Sequence, residues 1–120
     1  MGADATINYR STPDWDAEVL QETDSRGADL IVEVGGGTTL AKSVAAVRVG
    51  GHVSVIGVLT GTEAANFPLA QVMSKNAVIH GITVGSVADL DAMCRAIDTN
   101  GYKPVIDSVF ELANASDGIA

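Results

Sequence analysis

Residues 30–40, LIVEVGGGTTL, decide the fold. Leu30 to Val34 is an apolar run interrupted only by Glu33, the pattern of a parallel strand covered on both faces rather than the alternation of a half-exposed one. Gly35, Gly36 and Gly37 break the strand, and Thr38 and Thr39 lead into a helix over Leu40–Val47. There Leu40, Ser43, Val44 and Val47 recur at helical spacing, while Ala41, Ala45 and Ala46 permit close packing. The stretch reads as strand, tight turn, helix.

The same alternation continues downstream. Val49–Gly51 ends the helix, and HVSVIGVL, residues 52–59, is a second buried strand. A loop through Gly61 and Asn66 leads to a short helical piece, Pro68–Ser74. AVIHGITVG, residues 77–85, is the third strand. After Gly85, the spacing of Val87, Leu90, Met93, Cys94 and Ile97 predicts an amphipathic helix stopping near Asn100 and Gly101. KPVIDSVFEL, residues 103–112, reads as one more extended piece before a helical start at residues 114–120. Upstream, Ala5–Tyr9 reads as a short strand. Thr12 is then the N-cap of a helix with Pro13 at its first position, Asp14 and Asp16 near its positive end, and Trp15, Val19 and Thr23 as its inward stripe. Gly27 stops it. Strands alternating with helices imply right-handed crossovers and an α/β fold, a parallel sheet flanked by helices.

Composition agrees with a globular chain. Of 120 residues, 47% are hydrophobic and 18% charged, outside the range of disordered or collagen-like sequences. The formal charge of -8, from 15 acidic and 7 basic residues, repels phosphate backbones and anionic lipids, so nucleic acid and membrane are not expected partners. No apolar run approaches the roughly 20 residues of a membrane span, and the first residues lack a signal-peptide pattern; the expected location is the cytoplasm. One cysteine, Cys94, and two histidines, His52 and His80, give neither a disulfide nor a zinc-ligand set.

In an open parallel sheet, ligands sit beyond the carboxyl ends of the strands. Glycine recurs there, at Gly35–Gly37, Gly57 and Gly85. Each is a turn residue or a place where backbone can approach a flat ligand. The triple glycine lacks the spacing and the lysine of a phosphate loop, so it reads as a tight turn. Glu33 needs a partner in its apolar strand: either it faces a ligand crevice or it is a structural carboxylate bonded to nearby N–H groups. His80 reads as a partly exposed strand histidine and Cys94 as core filler. No catalytic constellation is present.

Taken in order, GAD and TINY at the start, DW at 14–15, VEVGG at 32–36, TTL at 38–40, GGHVSVIGVL at 50–59, PL, VM and K between 68 and 75, GI and VGS at 81–86, AM and RAI at 92–97 and KPVIDSVFEL resemble the medium-chain dehydrogenase/reductases. These include zinc-dependent alcohol dehydrogenases and quinone oxidoreductases. The resemblance covers nearly the whole chain and implies the later part of a Rossmann domain, an incomplete one lacking the first two strands and their G-x-G-x-x-G turn. Residues 1–101 would then be a partial dinucleotide-binding domain and 102–120 the start of the segment returning toward a catalytic domain. It further implies that Val34, Gly35 and Gly36 lie on the adenosine side of NAD or NADP, that Ile56, Gly57 and Val58 line the nicotinamide pocket, and that Ile82, Thr83 and Val84 close it. Val87 stands where the family often has Arg.

The resemblance also implies homo-oligomerisation through sheet edges, especially residues 78–84. Zinc, where the full-length enzyme uses it, would not be bound by this chain, and the chain alone would be inactive. In the strand order 3-2-1-4-5-6, it would supply strands 3 to 6, leaving a gap of about 10 Å beside its first strand. LIVEV would become an exposed edge. Two other readings stay open at this point: a non-catalytic dimerisation or complementation module, and another nucleotide-using α/β enzyme such as a methyltransferase.

Overall fold

Three strands form one parallel sheet in the computed structural model, which describes residues 2–119. They are β1 (Ala28–Glu33), β2 (Val47–Val55) and β3 (Val78–Gly81), side by side in the order β1-β2-β3. Helix α1 (Trp15–Glu22) precedes β1, α2 (Leu40–Ala46) joins β1 to β2, and α3 (Leu69–Lys75) joins β2 to β3. The chain divides into two compact units, Met1–Thr83 and Val84–Ala120.

The core of the first unit is small. Val44, Ala46, Val47 and Val53 are fully buried, with Ser43 and Glu33 among them; α2 packs on β1 and β2, α1 on α2, and α3 on β2. Helix α2 ends abruptly because Lys75 Nζ donates to three carbonyls, Val44 at 3.1 Å, Ala45 at 2.5 Å and Val47 at 2.8 Å. A cation on the last carbonyls of a helix satisfies acceptors that the helix itself cannot. On the other side, Lys42 ties α2 to the start of α1 through Asp14 and Asp16.

Several expectations need correction. Ala5–Tyr9 is not a strand: it has no sheet partner, and the carbonyl of Asn8 accepts from Ser11 and Thr12 while its Oδ1 accepts from the Arg10 amide. A turn built on Asn satisfies the backbone locally, and a lone strand has nothing to pair with. Helix α1 consequently begins at Trp15, with Asp14 and not Thr12 at its N-cap. Strand β2 starts at Val47, five residues before His52, and stops at Val55. The early start accommodates an irregularity opposite Ala28–Leu30, eased by Gly50 at φ +69°. β3 is confined to four residues.

The expectation for β1 holds in part. It is an edge strand, and Leu30 and Val32 on one side are 57% and 56% exposed, while Glu33 on the other is 4% exposed. The apolar run is therefore covered on one face only, and its most buried residue is its charge.

In the second unit, α4 (Val87–Asn100) follows the predicted helix. Ser86 and Asp89 form a reciprocal capping box, and Gly101 closes the other end at φ +65°. Residues 103–111 are exposed and form no strand, and a 3-10 segment covers Leu112–Gly118; of the helical start expected over 114–120, Ala120 lies outside the described residues. Cys94 is exposed rather than core-filling, because α4 has no buried residue. No described helix is long and apolar enough to cross a membrane.

Replacing Lys75 by Met keeps the apolar stem and leaves three inward carbonyls without their donor. We expect a loss of about 1–3 kcal/mol, seen as a lower urea midpoint at unchanged slope.

Candidate functional site at the carboxyl ends of the strands

Because the strands are parallel, their carboxyl ends share one edge of the sheet. Residues 34–36, 56–58 and 82–83 leave that edge at β1, β2 and β3 respectively. Val84, also implied by the resemblance, opens the second unit and is exposed.

The turn after β1 is built around Glu33. Its Oε1 accepts from Gly35 N at 2.7 Å, Gly36 N at 2.9 Å and Thr39 Oγ1 at 2.6 Å, and its Oε2 accepts from Ser43 Oγ. Of the two readings of Glu33, the structural carboxylate is the observed one. Thr39 and Ser43 were not singled out as its partners, although their spacing of four on α2 places both on one helical face. Burial works against the ionised carboxylate, yet the four donors outweigh it and hold its pKa below the usual glutamate value.

Every backbone donor in this turn is spoken for. Gly37 N donates to the Gly61 carbonyl at 2.9 Å, Thr38 N to Thr60 Oγ1 at 3.0 Å and Thr39 N to the Gly36 carbonyl at 3.1 Å. The glycine turn therefore offers no open amide to a phosphate, in keeping with its reading as a tight turn. Its glycines serve a different close approach. A Cβ on Gly57 would lie 2.5 Å from the Val34 carbonyl, and one on Gly36 2.9 Å from Val58 Cα. The ends of β1 and β2 are thus filled by each other's backbone.

What faces outward beyond β2 is apolar. Ile56 and Val58 are 49% and 51% exposed, and Ile82 is 43% exposed beside them on the β3 end. Among the described residues, the N–H groups of Gly57 and Val58 donate no hydrogen bond and the Ile56 carbonyl accepts none. An exposed apolar ledge with unused main-chain donors and acceptors fits a flat amide-bearing ring. A cavity of about 540 Å³ lies elsewhere, between Ile7, Tyr9, Trp15 and Val19 on one side and Ile31 and Val32 on the other. It reaches Val34 and Gly35 but not residues 56–58.

Zinc has no comparable fit: among the described residues, no three His, Cys, Asp or Glu side chains come together. Asp29, between Arg26 and Arg48 at the opposite ends of β1 and β2, is held far below the ordinary aspartate range by hydrogen bonds from both guanidinium groups.

Residues 1–113 match the family described as zinc-binding dehydrogenase. A zinc-type alcohol dehydrogenase-like protein of Schizosaccharomyces pombe is 37% identical over 92% of this chain and 33% of its own length. Among solved structures, a Sinorhizobium meliloti 1021 protein provisionally named an alcohol dehydrogenase is 40% identical with a TM-score of 0.81, over 98% of this chain and 35% of that one. An NAD-dependent alcohol dehydrogenase is 30% identical with a TM-score of 0.78, over 98% and 34%. The chain spans about a third of the length of the relatives it matches.

A lowered pKa for Glu33 fixes the sign of a pH effect: its contribution is fully present above the unfolded glutamate value, near 4.5, and is lost as pH falls through the folded value. We expect Glu33→Gln to cost about 1–3 kcal/mol at neutral pH. That difference should shrink at pH 3 in denaturant titrations of both proteins.

Proposed function

The chain belongs to the zinc-binding dehydrogenase family of medium-chain dehydrogenase/reductases, as the later part of their Rossmann domain, and from that membership we propose that it contributes the nicotinamide-side half of a cofactor site. The reading is of an NAD(P)-dependent alcohol dehydrogenase or quinone oxidoreductase type of enzyme, with no turnover by the 120-residue chain alone.

The observation that supports it is the ledge of Ile56, Val58 and Ile82 with the unused main-chain groups of Ile56, Gly57 and Val58. A bound nicotinamide would supply hydride chemistry. This chain's part is to bind and orient: apolar side chains take one ring face and exclude water from it, while the amides and carbonyl of the β2 end address the carboxamide. Orientation by main chain leaves side chains free to be bland. Val34, Gly35 and Gly36 are proposed for the adenosine side, through contact rather than through hydrogen bonds from the filled turn.

Labelled chain titrated separately with reduced nicotinamide mononucleotide and with adenosine checks this. The first should perturb amides at 56–58 and 82–83, the second those at 34–36. Submicromolar binding of NAD(P)H, or oxidation of an alcohol or reduction of a quinone by the isolated chain, would contradict the half-site reading, as would perturbations confined to other residues.

The free edge of β3 is proposed as the surface for self-association, since an unpaired strand is a template for its own copy. Light scattering should show a dimer; a monomer at all concentrations would dismiss that role.

A further inference from the structure

The Glu33 carboxylate does not face the ledge, yet the ledge hangs from it. Inside the turn it gathers Gly35, Gly36, Thr39 and Ser43. Outside the turn, the same few residues receive the segment that follows β2. The Glu33 carbonyl accepts from Ile56 N at 2.9 Å, the Val34 carbonyl from Leu59 N at 3.3 Å and the Gly35 carbonyl from Thr60 N at 2.7 Å. Thr60 Oγ1 adds a bond to the Gly35 carbonyl at 3.0 Å, and Gly37 N reaches Gly61 at 2.9 Å. Residues 56–61 are thus fastened to the end of β1 and to the turn after it, and the buried Glu33 carboxylate bonds that same turn from within.

We propose that Glu33 is a positioning residue for the ring-facing wall: by fixing the Gly35–Thr39 turn it sets where Ile56, Gly57 and Val58 stand. Gly36 sits at φ +82°, one of many conformations open to a glycine pair. The amides of Gly35 and Gly36 converge on a single oxygen, so removing that acceptor releases both. Because Gly36 and Gly57 meet the facing strand end backbone against backbone, a shift of the turn is passed on to Gly57 and Val58. A neutral replacement weakens the arrangement, since bonds to a charged acceptor are roughly twice as strong as neutral ones.

The proposal rests on the reading that this ledge faces a nicotinamide, but its first test does not. In the whole 120-residue chain carrying Glu33→Gln, amide exchange at Gly35 and Gly36 should quicken about tenfold, the equivalent of losing ~1.4 kcal/mol. The positioning role requires more: Gly37 and Thr60 must quicken too, and the methyl resonances of Ile56 and Val58 must move, while those of Val44 and Val53 stay. Faster exchange confined to Gly35 and Gly36 would overturn it. Should E33Q fail to fold, Thr39→Val removes one donor without changing shape and must give the same pattern at smaller amplitude; its absence would equally overturn the idea. Adding reduced nicotinamide mononucleotide then separates the two readings. If neither parent nor variant responds at 56–58, the ledge reading fails and the positioning of the loop stands. If both respond with the same affinity, the positioning role toward the ligand fails.

Discussion

The carboxyl ends of β1 and β2 meet main chain to main chain, and the rest of the first unit is arranged around that contact. Gly57 lies against the Val34 carbonyl and Gly36 against Val58 Cα, at distances where a Cβ on either would fall within 3 Å of its neighbour. Only glycine allows two backbones so near, and the approach brings Gly37, Leu59 and Thr60 into hydrogen-bonding range. Each such bond contributes about 1 kcal/mol. Together with the Glu33 carboxylate beneath, they close the end of the sheet and start α2 where its Val44 and Ala46 can reach the core.

A constraint of opposite sign operates along β1. Burying Leu or Val fully is worth about 1.5–3 kcal/mol, and Leu30 and Val32 remain more than half exposed, so each forfeits on the order of 1 kcal/mol. Against a net stability of about 5–15 kcal/mol for an ordinary domain, that is a substantial share from one edge. The strand's other side is occupied by Glu33, which stabilises only because its donors are complete. β1 therefore contributes through a polar network and a ladder on one side, an unusual division for so apolar a run.

Legibility in the sequence follows the range of the interaction that forms each element. Helix α4 was plain, because the amphipathic spacing and the stop at Gly101 lie within one stretch of chain, and the Ser86–Asp89 capping box that starts it is as local. The order of strands and their parallel pairing were also legible, from apolar runs separated by glycine and helix. Ala5–Tyr9 reads as a strand from its β-branched residues, but with no neighbouring strand among the described residues it closes into a turn on Asn8 instead. The boundaries of β2 were misplaced because Val47 reads equally well as the last residue of a helix face, and what ends that helix is Lys75, 28 residues on. At the site, the glycines read either as turn residues or as room for a flat ligand, and Gly36 and Gly57 also make room for each other's strand ends, a contact between distant stretches that no local pattern announces. Glu33 was narrowed to two roles, and deciding between them needed Thr39 and Ser43 in space.

That decision bears on how a dinucleotide could lie across this edge. With its amides filled, the turn after β1 presents the rim of a buried carboxylate rather than an open cradle. A phosphate brought within about 5 Å of that charge would meet a repulsion of roughly 3 kcal/mol at an effective dielectric near 20, with no donor left to offset it, and the chain's net charge of -8 adds to the same field. Beyond β2 the surface is neutral, apolar and half exposed, and carries unused main-chain groups suited to an amide. Two adjacent strand ends, only about 4.8 Å apart, thus differ sharply in what they tolerate. Under the proposed reading, a cofactor seated here would lie with its ring toward Ile56 and Val58 and its phosphates directed away from the Glu33 carboxylate.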